Sequence, residues 1–307
     1  RAEELINTQR DEHGRFLAKY SVLGQQNRLL VPMVDEYSRF LMKLLDLPLP
    51  TPSFSQISLT HDIDILAYYR HLRGALGGIK RGKWKEVVAS RKDMHNDPAY
   101  TFPWLMQQDE DCAKRIPSTS VHAVYFVKDT CGRGLDYPQY DLQGRDFAST
   151  VQILQSRATT FPTMFGLHSS AQESEPLQAQ GTCTSIDYHV HRSHYLSCSI
   201  RRMQQLVDAG VTDDYTMGFP DMTGFRLQST RPVRWINPLT MQLTSLVLHP
   251  LTVMDCTLSN ENYMNLTEDE AYFYCQALLE RVRQHGGELN LLWHNTSFLN
   301  NPYHSSL

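Results

Sequence analysis

The chain has little that would tie it to a membrane, a nucleic acid or an oxidising compartment. No stretch of its 307 residues approaches the roughly 18 consecutive apolar residues of a membrane-spanning helix, so no membrane span is expected. There is no basic excess: 29 Lys and Arg stand against 33 Asp and Glu, a formal charge of −4, which leaves nothing to neutralise a phosphate backbone and excludes nucleic acid as main partner. The six cysteines, Cys112, Cys131, Cys183, Cys198, Cys256 and Cys275, form no CxxC pair and no dense framework. They read as small buried thiols of a reduced protein, for which a cytoplasmic location is favoured. No fixed-period repeat and no low-complexity tract is present. The first residues, RAEELINTQRDEHGR, are charged rather than leader-like, and the chain opens on Arg rather than Met, so an upstream segment is expected.

What is present is a globular composition, 41% hydrophobic and 20% charged, with 13 histidines. Residues 1–50 read as helical, the apolar positions of VPMVDEYSRFLMKLLDL recurring at three and four residues until PLPTP ends them. Beyond the prolines, short β-rich runs alternate with amphipathic stretches. Strands are expected at ISLT (57–60), VHAVYFV (121–127), TMFGLH (163–168), YTMGF (215–219), LTSLVLHP (243–250) and ELNLLWH (288–294). Helices are expected at 66–79, 82–93, from Thr101, and at 145–157, 173–180 and 198–209. A last helix opens on the capping box Thr267-x-x-Glu270 and stops at Gly286-Gly287. This alternation predicts α/β architecture with parallel βαβ units, a closed or nearly closed barrel of six or seven strands ahead of an open doubly wound sheet.

In such folds reactive groups sit where strands end. The first strand ends His61-Asp62-Ile63-Asp64, and a period of two puts Asp62 and Asp64 on one face and His61 on the other. Two carboxylates side by side suit a cation, or a base beside a metal ligand; a helix cap plus a solvated acid is the plainer alternative. His168 ends the third strand. Asp187–Tyr195 carries His189, His191 and His194, a density hard to assign to packing. His294 emerges from an apolar run beside Trp293, and Gly224-Phe225-Arg226 adds a cation able to orient a carboxylate.

The order of these motifs resembles the polysaccharide deacetylase family, carbohydrate esterases that include chitooligosaccharide and peptidoglycan deacetylases, over about residues 55–300. The stretches THDID, GLHSS, RSHYL, GFR and LLWHNTSF are similar to a bacterial branch often encoded among surface-polysaccharide genes, in which a separate N-terminal region precedes the barrel. The resemblance implies a distorted (β/α)7-type barrel at 53–307, with 1–52 as a helical extension or the remnant of an upstream domain. It also implies a metal-dependent hydrolase of carbon–nitrogen bonds, removing N-acetyl groups from an amino-sugar-containing glycan or glycoconjugate. Asp62 would be the base, Arg226 its orienting cation and His294 the acid. Asp64, His168 and His194 would hold a divalent metal, zinc ahead of iron or cobalt, and Trp293 would offer a stacking face to the sugar. Gln172 stands where the family's second histidine falls; His194 is the expected substitute, with His189 and His191 as alternatives. Two other readings are a metal-independent hydrolase of small cyclic amides and a catalytically silent glycan-binding module. The oligomeric state is not encoded in these motifs.

Overall fold

The computed structural model describes residues 3–128, 134–137, 140–156, 161–173, 177 and 186–297. Nine strands form one sheet: β1 (Gln56–Ile63), β2 (Val121–Lys128), β3 (Thr163–Ser169), β4 (Asp187–Ser193), β5 (Asp213–Met217), β6 (Val233–Asn237), β7 (Gln242–Pro250), β8 (Val253–Met254) and β9 (Glu288–Leu292). Their spatial order is β6-β7-β5-β4-β3-β2-β1-β9-β8. Every adjacent pair is parallel except β6 with β7. The strands expected from sequence all form, as do the helices Phe102–Arg115, Arg145–Ser156, Ile200–Asp208 and Glu268–His285; the helix expected at 173–180 lies largely outside the described residues.

β1 and β2 are buried on both faces, as parallel strands covered by crossover helices must be. Outward, Ile57, Leu59, Ala123, Tyr125 and Val127 pack against Phe102, Met106, Leu278 and Val282 of the surrounding helices. Inward, Val124, Phe126, Val190 and Tyr215 form a second, smaller cluster. The sheet therefore curls into a distorted half-barrel whose interior is filled with side chains.

The open side is bridged without a continuous ladder. His249 of β7 points Nδ1 at Glu288 Oε2 of β9 (2.8 Å) and Nε2 at Asp213 Oδ1 of β5 (3.0 Å), while its ring stacks on Tyr215 at 4.1 Å. Ser58 of β1 donates to the same Glu288, and the Thr252 amide donates to the Asn290 carbonyl.

Two elements differ from the sequence expectation. β4 forms where the sequence shows only a histidine-rich segment, because Val190 is its one aliphatic residue and leaves no apolar period. Residues 3–50 are less helical than expected: Met33–Leu44 is a regular helix, but the preceding chain is two single-turn helices, a 3-10 turn and loops interrupted at Gly14 and Pro32. This segment is held by specific polar contacts. Asp35 accepts from the Thr230 amide and hydroxyl, Asp221 accepts from the Ala18 amide, and the Phe225 amide donates to the Leu29 carbonyl. Gly224 sits at φ 146°, where a Cβ would lie 2.6 Å from the Leu29 carbonyl oxygen, so the approach of the two segments requires glycine. Among the described residues no helix is long and apolar enough to cross a membrane.

The bridge at His249 makes stability depend on pH. Burial alone would push this imidazole down, but Asp213 and Glu288 override it and raise it to about 9. A group raised above its unfolded value of about 6.5 gives its stabilisation in full below that pH and loses it as pH rises through the folded value. The melting temperature is therefore expected to fall between about pH 6.5 and pH 9 by an increment that His249→Gln removes, which thermal melts of both proteins across that window check.

Candidate metal centre at the strand ends

β1 carries Asp62 inside the curl and Asp64 just beyond its end, while His61 faces out and contacts Asp109 through Nε2 (3.1 Å) and the Trp293 carbonyl through Nδ1 (3.0 Å). The period of two thus separates His61 from both aspartates. His168 is the penultimate residue of β3, and its Nδ1 donates to the Arg192 carbonyl at 3.0 Å. That bond leaves the Nε2 lone pair free, 3.4 Å from Asp64 Oδ1. His194 follows β4; its Nδ1 donates to Asp136 Oδ1 (2.8 Å) and its Nε2 lies 3.2 Å from the same Asp64 oxygen.

Asp64, His168 and His194 bring one ligand atom each within 4.8 Å of one another. The buried atoms Asp64 Oδ1 and His168 Nε2 make no aligned hydrogen bond. Buried polar atoms without partners are rare, and a carboxylate with two imidazole nitrogens is a donor set that suits a divalent cation. The residues present therefore fit a metal ion. Burial tends to raise Asp64, but His194, His168 and His294 outweigh it and hold the carboxyl well below its usual range, so it is ionised.

Two paired groups flank this cluster. Asp62 accepts from Arg192 Nη1 at 2.9 Å; the same guanidinium bonds Thr60 Oγ1 (2.8 Å) and the Tyr215 carbonyl (3.1 Å) and lies over the Phe126 ring. His294 donates from Nδ1 to Asp255 Oδ1 (2.8 Å), and its Nε2 stands 3.7 Å from Asp64 and 3.9 Å from Asp62. Burial would lower the His294 imidazole, but Asp255, Asp64 and Asp62 raise it to about 10. Its proton is in place at neutral pH. Asp255 is fixed in turn by the His294 amide and the Ser297 hydroxyl. Cys256, beside Asp255 and His294, is pushed far up by burial and by Asp255 and remains a thiol. A cavity of about 380 Å³ opens over these groups, lined by Asp62, Asp64, His194 and His294 and walled by Tyr195 and Tyr263.

Five of the seven residues singled out in the sequence meet here: Asp62, Asp64, His168, His194 and His294. Two do not. Arg226 was expected against Asp62, but its guanidinium pairs with Glu4 (2.9 Å) and donates to the Gly218 carbonyl (2.8 Å), tying down the N-terminal segment. The cation on Asp62 is Arg192, because inward alternation along β4 brings it across the curl to β1. Trp293 was expected to face the sugar, yet it lines a different, apolar cleft on the outer side with Trp104 and His61. Of the alternative histidines, His191 is buried between Asp214 and Ser169, and His189 bonds the Gly210 carbonyl. Gln172 offers its backbone carbonyl to Arg202. The orienting residues Arg192, Asp136 and Asp255 were not identified from sequence. Arg192 lies within the RSHYL stretch already singled out, whereas Asp136 and Asp255 have no spacing signal and are recognised only by their contacts.

No curated protein matches this chain. Residues 1–50 match the model of DUF7033, a family of unknown function. Among solved structures, the chain is similar to a protein from Mycobacterium smegmatis assigned as a polysaccharide deacetylase, at TM-score 0.46 and 13% identity, over 85% of this chain and 86% of that one. A second similar structure, from Bordetella bronchiseptica, is assigned as a polysaccharide deacetylase involved in O-antigen biosynthesis; the TM-score is 0.37 and the identity 14%, over 78% of this chain and 72% of that one.

Proposed function

We propose that this chain is a metal-dependent hydrolase that removes N-acetyl groups from an amino-sugar-containing glycan or glycoconjugate. The observation that carries the reading is the pair of unpartnered buried atoms, Asp64 Oδ1 and His168 Nε2, facing His194 Nε2 between a charged Asp62–Arg192 pair and an Asp255–His294 pair. Asp64, His168 and His194 would hold the cation, with zinc favoured by the two-imidazole, one-carboxylate set and iron or cobalt compatible with it. When bound, such an ion supplies Lewis acidity, polarising an amide carbonyl and making water acidic near neutral pH.

The protein groups divide the proton transfers. Asp62, aimed by Arg192, accepts the proton of the water that attacks the acetyl carbon. His294 carries its proton on Nε2, oriented by the Nδ1 bond to Asp255, and delivers it to the sugar nitrogen as the carbon–nitrogen bond breaks. Acetate and a free amine result. Asp136 and the Arg192 carbonyl lock the two ligand imidazoles with Nε2 toward the centre. The role that the resemblance implies for Arg226 is thus assigned to Arg192, and no sugar-stacking role is assigned to Trp293; Tyr137, Tyr195 and Tyr263 are aromatic groups on the cavity.

Titrating metal-free protein with Zn2+ is expected to raise its melting temperature by several degrees, since saturation at about 100 times Kd stabilises by ~2.7 kcal/mol. Asp64→Asn and His168→Ala should abolish that rise together with hydrolysis of N-acetylated sugars. Zinc-independent melting, with turnover unchanged in both variants, overturns the reading.

Asp62→Asn and His294→Asn are each expected to lower kcat by about 10²–10⁴ while zinc still binds. Arg192→Met should add a stability loss of about 3–5 kcal/mol by stranding a buried carboxylate, measured by denaturant unfolding alongside kcat.

A further inference from the structure

Lys128 ends β2 beside His168 and points into the same cavity, yet it is buried and has no role in the scheme above. Its Nζ donates to the backbone carbonyl of Asp136 at 3.2 Å, and among the described residues no carboxylate lies within ion-pairing distance of it. The two acids nearest in the field, Asp64 and Asp136, are already engaged. Asp64 faces the two ligand imidazoles; Asp136 accepts from His194, Ser170 Oγ and the Ala171 amide. A buried ammonium with no carboxylate in contact is costly: burial pushes Lys128 down while Asp64 and Asp136 act on it only from a distance.

A second cation stands against one of the lining residues. Tyr137 lines the cavity next to Lys128, and the exposed guanidinium of Arg73 stacks on its ring at 5.0 Å. Across the cavity, Arg15 is neutralised by Asp11, and the remaining mouth groups Tyr195, Tyr263, Asn260 and Thr296 are uncharged. Among the described lining residues, Lys128 is thus the cation left without an ion pair.

We propose that the site takes an acylated amino sugar bearing an anionic group, a carboxylate or a phosphate ester, seated against Lys128 on the Tyr137 side with Arg73 at its outer edge. The proposal rests on the deacetylation reading for the reaction and adds the substrate's charge. The cavity of about 380 Å³ is near the lower end of the ~300–1,000 Å³ typical of small-molecule sites, a size for a sugar unit with its substituent.

The test compares three probes on the zinc-loaded protein: N-acetylglucosamine, its 1-phosphate, and the corresponding N-acetylated amino-uronic acid. For each, kcat/KM is measured together with equilibrium binding by calorimetry. One charged probe is expected to exceed the neutral sugar by at least tenfold, and the better one identifies the group. In Lys128→Met that ratio should collapse toward one, and in Lys128→Arg it should largely persist. Equal handling of charged and neutral probes by the wild type overturns the proposal. So does a Lys128→Met variant that weakens all three by the same factor, which would assign Lys128 to general electrostatics of the centre. If no probe is hydrolysed but calorimetry shows the Lys128-dependent preference, the deacetylation reading fails and the anionic subsite stands. Turnover without charge preference gives the converse.

Discussion

The buried pair between Arg192 and Asp62 is the constraint around which the interior is arranged. A guanidinium with no solvent exposure is costly unless its donors are taken up, and here, with Nη2 left without a hydrogen bond among the described residues, that falls to Nε and Nη1. They reach Thr60 and Asp62 on β1 and the Tyr215 carbonyl on β5, and the flat face covers Phe126 on β2. One side chain from β4 thereby touches three other strands. It sets how tightly the sheet curls, and with it the distance from the end of β1 to the ends of β3 and β4. The backbone of the same residue completes the arrangement, since its carbonyl orients His168. Replacing that pair with apolar residues of similar size would keep the curl filled and the backbone carbonyl on His168, but would remove the Asp62 carboxylate from the cavity.

A parity rule explains much of what could be read from the sequence and where reading stopped. Applied to residues 61–64, alternation separates His61 from the two aspartates, and the structure agrees. The same rule applied at the last strand separates Trp293 from His294, so the tryptophan belongs with His61 on the outer face rather than with His294 on the cavity. β4 was invisible for the opposite reason. Apart from Val190, both faces of Asp187–Ser193 are polar, and the contacts that hold them come from residues far away in the chain: His191 bonds Asp214, Arg192 bonds Asp62, and the Ser193 amide donates to Thr216 Oγ1. No local pattern encodes such a strand. Arg226 and Arg192 are equivalent as letters, and only the partners Glu4 and Asp62 tell them apart.

The N-terminal segment reaches the rim of the site. Tyr195 and Leu196, directly after His194, both adopt left-handed backbone conformations, at φ 59° and 53°, which large side chains avoid. Arg15 donates to the Tyr195 carbonyl and lies over its ring, and His13 meets that ring edge-on at 5.2 Å. The turn that presents a candidate ligand is thus buttressed by residues 180 positions earlier. The first fifty residues contribute to the same folded body that carries the site chemistry, through Arg15 and through the Glu4–Arg226 pair.

The bridge at His249 has a mechanical consequence. Asp62, Asp64, His168, His194, Asp255 and His294 all hang on the strands β4, β3, β1, β9 and β8 or the turns that follow them, and with β2 these strands form one unbroken run of backbone pairing. The side-chain seam between β7 and β9 lies outside that run. Thermal loosening of the seam would widen the curl on the far side while these six side chains keep their mutual spacing, so the compliance of this barrel and the precision of its candidate centre reside in different parts of the same sheet.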